Sequence, residues 1–366
     1  MSRPRTLGVL WLAMRILLLL AWGCGGEDSE SDDTGGDADA DTDADTDVDS
    51  DTDTDVDTDV DADTDSDSDR PWRAFSDDSP WNTPIPADPA LEPDSDALIE
   101  DLATSSEWNF LGINIPRFSV PVFWADAETP LYDVQVRDVV GFRFGEPVPI
   151  PDGAAPDPMS DAHLCIVDRT AGWEWGMWNA WNDAAGWHCG VGAAIDLAGT
   201  GVRPPQDGNQ DWTLSHGARA CGFPLIAGLI LVEEMEAGRI DHALVIAYPH
   251  IRSRWYTPPA STAQGTTGQA LPDRGIPCGG RVQLDPAVDI DALGLTPSGL
   301  VIARALQEYG AYMSDFSGSI NLYAENSPAA QAAWSAGLLG DYEVRDQIDL
   351  RDFRVLEIGA LYDNGN

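Results

Sequence analysis

The sequence predicts a mainly β domain of the α+β class, an antiparallel β-sandwich or jelly-roll-like body carrying a few short helices. Three observations predict it. Short runs of polar–apolar alternation recur from Ser119 to Ile358, helical spacing is confined to brief stretches, and Asp161 to Trp178 can be laid down as a hairpin. In that hairpin Asp161–Asp168 (DAHLCIVD) and Trp173–Trp178 (WEWGMW) are strands, and Arg169-Thr170-Ala171-Gly172 is a four-residue turn. Pairing Asp168 with Trp173 sets the register. Leu164, Ile166, Trp173, Trp175 and Met177 then share a core face, and Asp161, His163, Glu174 and Trp178 share the other, which is expected to line a cleft.

The other elements follow in order. Ser79–Pro84 is an extended entry held by prolines, and Asp94–Ala103 a short helix. Ser119–Trp124, Leu131–Arg137 and Val139–Phe144 read as strands. Beyond the hairpin, Asn179–Gly190 reads as a loop bearing Trp181, Trp187 and His188, followed by a strand over Val191–Leu197. Leu229–Ala237 has helical composition and stops at Gly238, and Asp241–Tyr248 is a strand opened by His242. Arg281–Asp285 alternates cleanly, with Arg281, Gln283 and Asp285 on one face and Val282 and Leu284 on the other. Thr296 caps a helix over Pro297–Tyr309, with proline at its first position. Strands over Tyr312–Asp315 and Ile320–Ala324, a small helix from Ser327 and a strand over Phe353–Ile358 complete the domain.

The first 70 residues read differently. Arg3, Arg5 and Arg15 precede the apolar run Ile16–Trp22, which is too short for a membrane span and reads as a secretion signal over residues 1–23. Ala21-Trp22-Gly23-Cys24 resembles a bacterial lipobox, which implies lipidation of Cys24 and a membrane anchor at the cell envelope. From Asp37 to Asp69 every second residue is Asp, 17 in all. Like charges on one face repel and no core can form, so residues 24–70 are expected to be a disordered linker. The Asp-x-Asp pattern invites weak calcium association, but the glycine and glutamate of a calcium-binding helix-loop-helix are missing. No other cofactor and no metal site is expected.

The chain carries a formal net charge of −43, has no lysine, and keeps a net charge of about −24 from Arg70 onward. Such a surface repels phosphate backbones, so nucleic acid is not expected as a partner. Besides Cys24 there are Cys165, Cys189, Cys221 and Cys278, an even count that predicts one or two disulfides in an exported chain without choosing among the three pairings. Residues 71–366 contain no second linker and are expected to be a single β-rich domain.

The order Asp161-Ala162-His163, Gly222-Phe223-Pro224-Leu225, Ile240-Asp241-His242-Ala243-Leu244, Arg281-Val282-Gln283-Leu284 and Tyr309-Gly310-Ala311-Tyr312 resembles an uncharacterised group of exported bacterial proteins. Some members of that group stand beside carbohydrate-binding modules. The resemblance implies export and association with glycans and lends no catalytic residues.

Two chemistries suit these residues. Glycoside hydrolysis needs a pair of carboxylates, and Asp161, Asp285 and Asp315 are the candidates. Glu174 lies too far along the hairpin from Asp161 to complete the pair. A polysaccharide lyase needs a base and a cation or amide that holds a uronate carboxylate, for which His163, Tyr309, Arg281 and Gln283 are available. Glu174, Gln283, His242 and the rings of Trp178, Trp181 and Trp187 are candidate binding groups. The alternative is a non-catalytic carbohydrate-binding or structural envelope lipoprotein. Polysaccharide is the expected partner in either case, apart from the membrane.

Overall fold

In the computed structural model, which describes residues 70–206, 212–263 and 274–364, the hairpin forms in the expected register, Asp168 opposite Trp173 and Leu164 opposite Met177. The secretion signal, Cys24 and the Asp-rich segment up to Asp69 lie outside the described residues. In chain order the elements are α1 (Ser95–Thr104), β1 (Leu111–Asn114), β2 (Val122–Ala125), β3 (Leu131–Tyr132), β4 (Val134–Val140), β5 (Val148–Pro149), β6 (Leu164–Asp168), β7 (Trp173–Trp178), β8 (Trp181–Asp183) and β9 (Gly186–Asp196). They continue with α2 (Val232–Ala237), β10 (Leu244–Tyr248), β11 (Arg252–Tyr256), β12 (Pro277–Cys278), β13 (Arg281–Leu284), α3 (Pro297–Glu308), β14 (Ala311–Phe316), β15 (Ile320–Tyr323), α4 (Pro328–Ser335), β16 (Phe353–Val355) and β17 (Tyr362–Asp363).

The described residues are thus mainly β with four short α-helices. One six-stranded sheet runs β1-β15-β10-β14-β13-β16, and a second runs β2-β6-β7-β9-β4 with β8 added to β9. Pairing within them is mixed. β6–β7, β7–β9 and β13–β14 are antiparallel, while β1–β15, β10–β14, β2–β6 and β4–β9 are parallel, so the sheets are not antiparallel throughout. Parallel neighbours need long connections, and a pattern of short alternating runs does not reveal which strands those connections bring together.

Local signals explain the helices. The Thr296 side chain accepts from Gly299 N at 3.0 Å and Ser327 from Ala330 N at 3.1 Å, each followed by a proline in the first turn. Gly238 ends α2 in the left-handed region at φ 72°. Among the described residues no helix is long and apolar enough to cross a membrane.

Two apolar clusters hold the sheets, and β6 belongs to both. Cys165 and Val167 enter the larger one with β1, β10, β14, β15 and α3, whereas Leu164 and Ile166 join Met177, Trp187, Cys189, Val148 and Ile150 in the smaller one. The uninterrupted run Leu-Cys-Ile-Val is what a strand buried on both faces requires. The expected loop at Asn179–Gly190 is instead a second hairpin. β8 folds onto β9, and Trp187 lies 5 % exposed in the smaller cluster rather than on a surface. Two residues between Asp183 and Gly186 make that turn, Gly186 taking a positive φ of 108°.

Cys221 and Cys278 form the single disulfide among the described residues, and Cys165 and Cys189 are free and buried. The bridge closes 57 residues and ties the Gly217–Leu225 segment to β12. Loop closure of that length is worth about 4 kcal/mol in the chain-entropy treatment. The double variant Cys221→Ser/Cys278→Ser is expected to lose up to about that much stability, read as a lowered urea midpoint at unchanged slope. An unchanged midpoint would show that the bridge is not a structural clamp.

Candidate functional site

Where β6 and β7 reach the end away from their turn, a cavity of about 350 Å³ opens, lined by Asp161, His163, Trp178, His216, Arg219 and Asp315 among others. It is built from both sheets and from the Gly217–Leu225 segment.

Asp161 lies just before β6, where Ala162 takes a positive φ of 41° and the backbone is gripped by Asn179 N to Asp161 O at 2.8 Å and Ala180 N to Ala162 O at 2.9 Å. The buried Asp157 anchors this corner from below, its carboxylate accepting from Met159 N at 2.8 Å and Asn326 Nδ2 at 3.2 Å. Partial burial, and then the charge of Asp157, raise the Asp161 carboxyl above the ordinary aspartate range. Asp315 comes from β14, at a bulge where Ile246 faces Met313 and Ala247 already faces Asp315. The extra residue breaks the alternation, so Asp315 is half-buried rather than sealed in as Met313 is. The Trp178 ring lies over Gly190 of β9, where a Cβ would meet it at 2.9 Å. Only glycine admits the ring there.

A buried polar layer runs from the cavity along the hairpin toward its turn. His163 is 3 % exposed, and burial, followed by the charge of Arg219, pushes it down to about 3, so the ring is neutral. Arg219 is 1 % exposed, its guanidinium 4.7 Å from the Tyr323 ring and its Nη2 donating to Leu225 O at 3.1 Å. Its Nε and Nη1, like His163 Nδ1, have no hydrogen-bond partner among the described residues. Glu174 accepts from Leu225 N at 3.0 Å, and burial, resisted by Arg203, pushes it up to about 7. Gly176 makes this closeness possible, since a Cβ there would meet Ala218 and Leu225 side chains at 3.2 Å. Burial pushes the Cys189 thiol up to about 12 and raises that of Cys165 well above the ordinary thiol range, which makes both poor nucleophiles.

The structure therefore brings together Asp161, His163, Trp178 and Asp315 and separates the other candidates. Glu174 points to the expected face but is covered by the Gly217–Leu225 segment, because parity sets a side chain's face and not what lies over it. Arg281 donates through Nε to Tyr309 O at 2.8 Å and lies 5.0 Å from the Tyr312 ring, so it braces α3 against the sheet. Tyr309 is 8 % exposed in the larger cluster. Gln283 is buried between Gln307 O and Arg354, and Asp285 lies 3.8 Å from Arg354 beside a different surface hollow. His242 is a buried structural histidine, Nε2 at 2.8 Å from Glu234 and Nδ1 against Ala243 O at 3.0 Å. Trp181 stacks on His188 with centroids 4.8 Å apart, and Trp187 is in the smaller core. His216 and Arg219 were not legible as site residues. Their only signal is a position beside the glycines of a tightly folded segment, where Gly222 has a φ of 81° and a Cβ would meet Ser261 Oγ at 2.0 Å. Among the described residues no group of three or more His, Cys, Asp or Glu converges as metal ligands do.

No family model matches the chain, and neither does any curated protein or solved structure.

A histidine held neutral near pH 3 while the unfolded chain protonates near 6.5 makes the fold less stable as pH falls below about 6.5. Replacing it removes that loss. His163→Asn is expected to gain on the native protein by about 1.4 kcal/mol per pH unit between pH 6.5 and 4.5, read as the difference of urea-unfolding free energies. A difference that does not change with pH would mean that His163 is solvated.

Proposed function

We propose that this is an exported, envelope-anchored glycan-active protein that hydrolyses polysaccharide in the cavity that Asp161 and Asp315 both line. The observation that carries the reading is the presence, in one half-open cavity, of two carboxylates from different sheets beside the Trp178 ring. Hydrolysis of a glycosidic bond requires one carboxyl group that is protonated and one that is not. The raised Asp161 suits the acid, and Asp315 is the partner carboxylate. Trp178 supplies an aromatic face for a sugar ring. Export and anchoring are supported by the arginine-flanked apolar run and Cys24, and the acidic linker of 46 residues from Gly25 to Arg70 gives a reach of at most ~150 Å from the membrane.

One observation favours a second reading, β-elimination on a uronate. A neutral imidazole, His163, lies in the same wall as Arg219, whose unpartnered N–H groups suit a carboxylate. The third reading, binding without cleavage, uses the same cavity.

The full chain, incubated with neutral and uronate polysaccharides, is expected to release new reducing ends without the absorbance of unsaturated uronate. Asp161→Asn and Asp315→Asn should each slow release by about 10³-fold, and Trp178→Ala should raise KM more than it lowers kcat. Absorbance of unsaturated uronate would select the lyase. Binding without any new ends would select the carbohydrate-binding module, and aspartate variants as fast as the native chain would remove the cavity from the reaction.

A further inference from the structure

A second cavity, of about 390 Å³, lies at the opposite end of the hairpin, against its turn. Its wall combines the Trp124 ring, 40 % exposed, with Arg169, Glu233, Glu236 and Glu325. The arrangement is built rather than incidental. Asp168 folds the turn by accepting from Thr170 N at 2.9 Å and Ala171 N at 2.8 Å, and this presents Arg169 to the rings of Trp124 and Trp72, 3.9 and 4.2 Å from their centroids. Both carboxylate oxygens of Glu233 hold the Arg169 guanidinium, Oε2 at 3.2 Å from Nη1. The cation of this wall is therefore already committed.

Glu325 is not. It is 5 % exposed and lines the cavity, its Oε1 accepts from Val232 N at 2.7 Å, and no described group donates to its Oε2. Oε2 is not among the sealed, unpartnered atoms of the interior, so it faces the cavity, where an incoming donor, most of all a charged one, can bond to it. The surroundings select the sign of that donor. Glu233 and Glu236 stand on the same wall, and the domain as a whole is strongly acidic, so an anion is repelled and a cation attracted. A metal ion does not fit, because the described residues offer no cluster of three ligands. What remains is an organic cation whose hydrocarbon part lies along Trp124, Val167 and Ala329.

We propose that this cavity is a binding site for a primary ammonium group, which Glu325 and Glu236 hold against the Trp124 wall. The group is carried either by an amino sugar or by a basic peptide side chain. The site is separate from the Asp161 cavity and does not depend on the reading given to it. Protonation of Glu325 opposes occupation. Burial, with the charges of Glu233 and Glu234 on α2, pushes its carboxyl up to about 7 against the pull of Arg169 from the hairpin turn.

The test is calorimetric titration of the full chain at pH 8 with D-glucosamine, N-acetyl-D-glucosamine and n-butylamine. Glucosamine and butylamine are expected to bind and the acetylated sugar to bind at least about tenfold more weakly. Tighter glucosamine identifies an amino-sugar site, and equal or tighter butylamine a site for a basic side chain. Affinity for butylamine, which stays protonated throughout, should fall by at least about tenfold from pH 8 to pH 5.5 as Glu325 takes up a proton. Glu325→Gln, which keeps the acceptor for Val232 N, should lose binding by about tenfold or more. Glu236→Gln, on an exposed position, should weaken it about threefold and guards against misfolding of the first variant. Equal binding of N-acetylglucosamine, or no binding of either amine, overturns the proposal, as does unaltered affinity in both glutamine variants.

Discussion

The structure depends on the double burial of β6. Its odd residues Cys165 and Val167 enter the larger core and its even residues Leu164 and Ile166 the smaller, all with essentially no exposure. At roughly 2 kcal/mol for each large apolar side chain removed from water, this strand contributes to both clusters at once and forms their common wall. Such a strand cannot slip, since a shift of one residue would drive Asp168 or His163 into a core position. A five-residue strand is about 17 Å long, so the groups at its two ends are kept at that spacing. Asp161 and His163 emerge at one end and the Arg169 turn at the other. Each end opens into a cavity.

How much of this was legible follows from the range of the interactions involved. The hairpin register, the caps of α3 and α4, and the Gly238 stop are written in residues close together in sequence, and they appear where the sequence places them. Asp161, His163, Trp178 and Asp315 were readable as chemistry-bearing residues, because polar groups opposite an apolar face need a reason to be there. Their convergence was not. It depends on parallel pairing of β10 with β14, on the bulge that turns Asp315, and on the Gly217–Leu225 segment crossing above Glu174, none of which leaves a periodic trace. Arg281 and Gln283 show the converse. Their alternation was read correctly, but the polar face of β13 is covered by α3 and Arg354, so the residues serve as braces. Trp187 failed for a related reason: a glycine turn at Gly186 converted an apparent loop into a strand pair and took the ring inside.

The same geometry explains why the cavity wall is so firmly held. His163, Glu174, Arg203 and Arg219 are each at least nine-tenths buried, and each retains a polar atom without a partner among the described residues. Every such atom costs on the order of 1 to 3 kcal/mol, so a segment covering them by packing alone would open. Here Cys221 binds it to β12, Ser261 N donates to Cys221 O at 3.2 Å, and Ser261 Oγ donates to Ser215 O at 2.6 Å. Gly176 lets it approach β7 more closely than any side chain would permit. Apolar residues of similar volume would fill this layer at lower cost, as buried ionic groups are seldom the most stable choice. This costly polar layer is clamped covalently, and two of its members, His163 and Arg219, line the cavity shared by Asp161, Asp315 and Trp178, so the clamp also holds that wall in place.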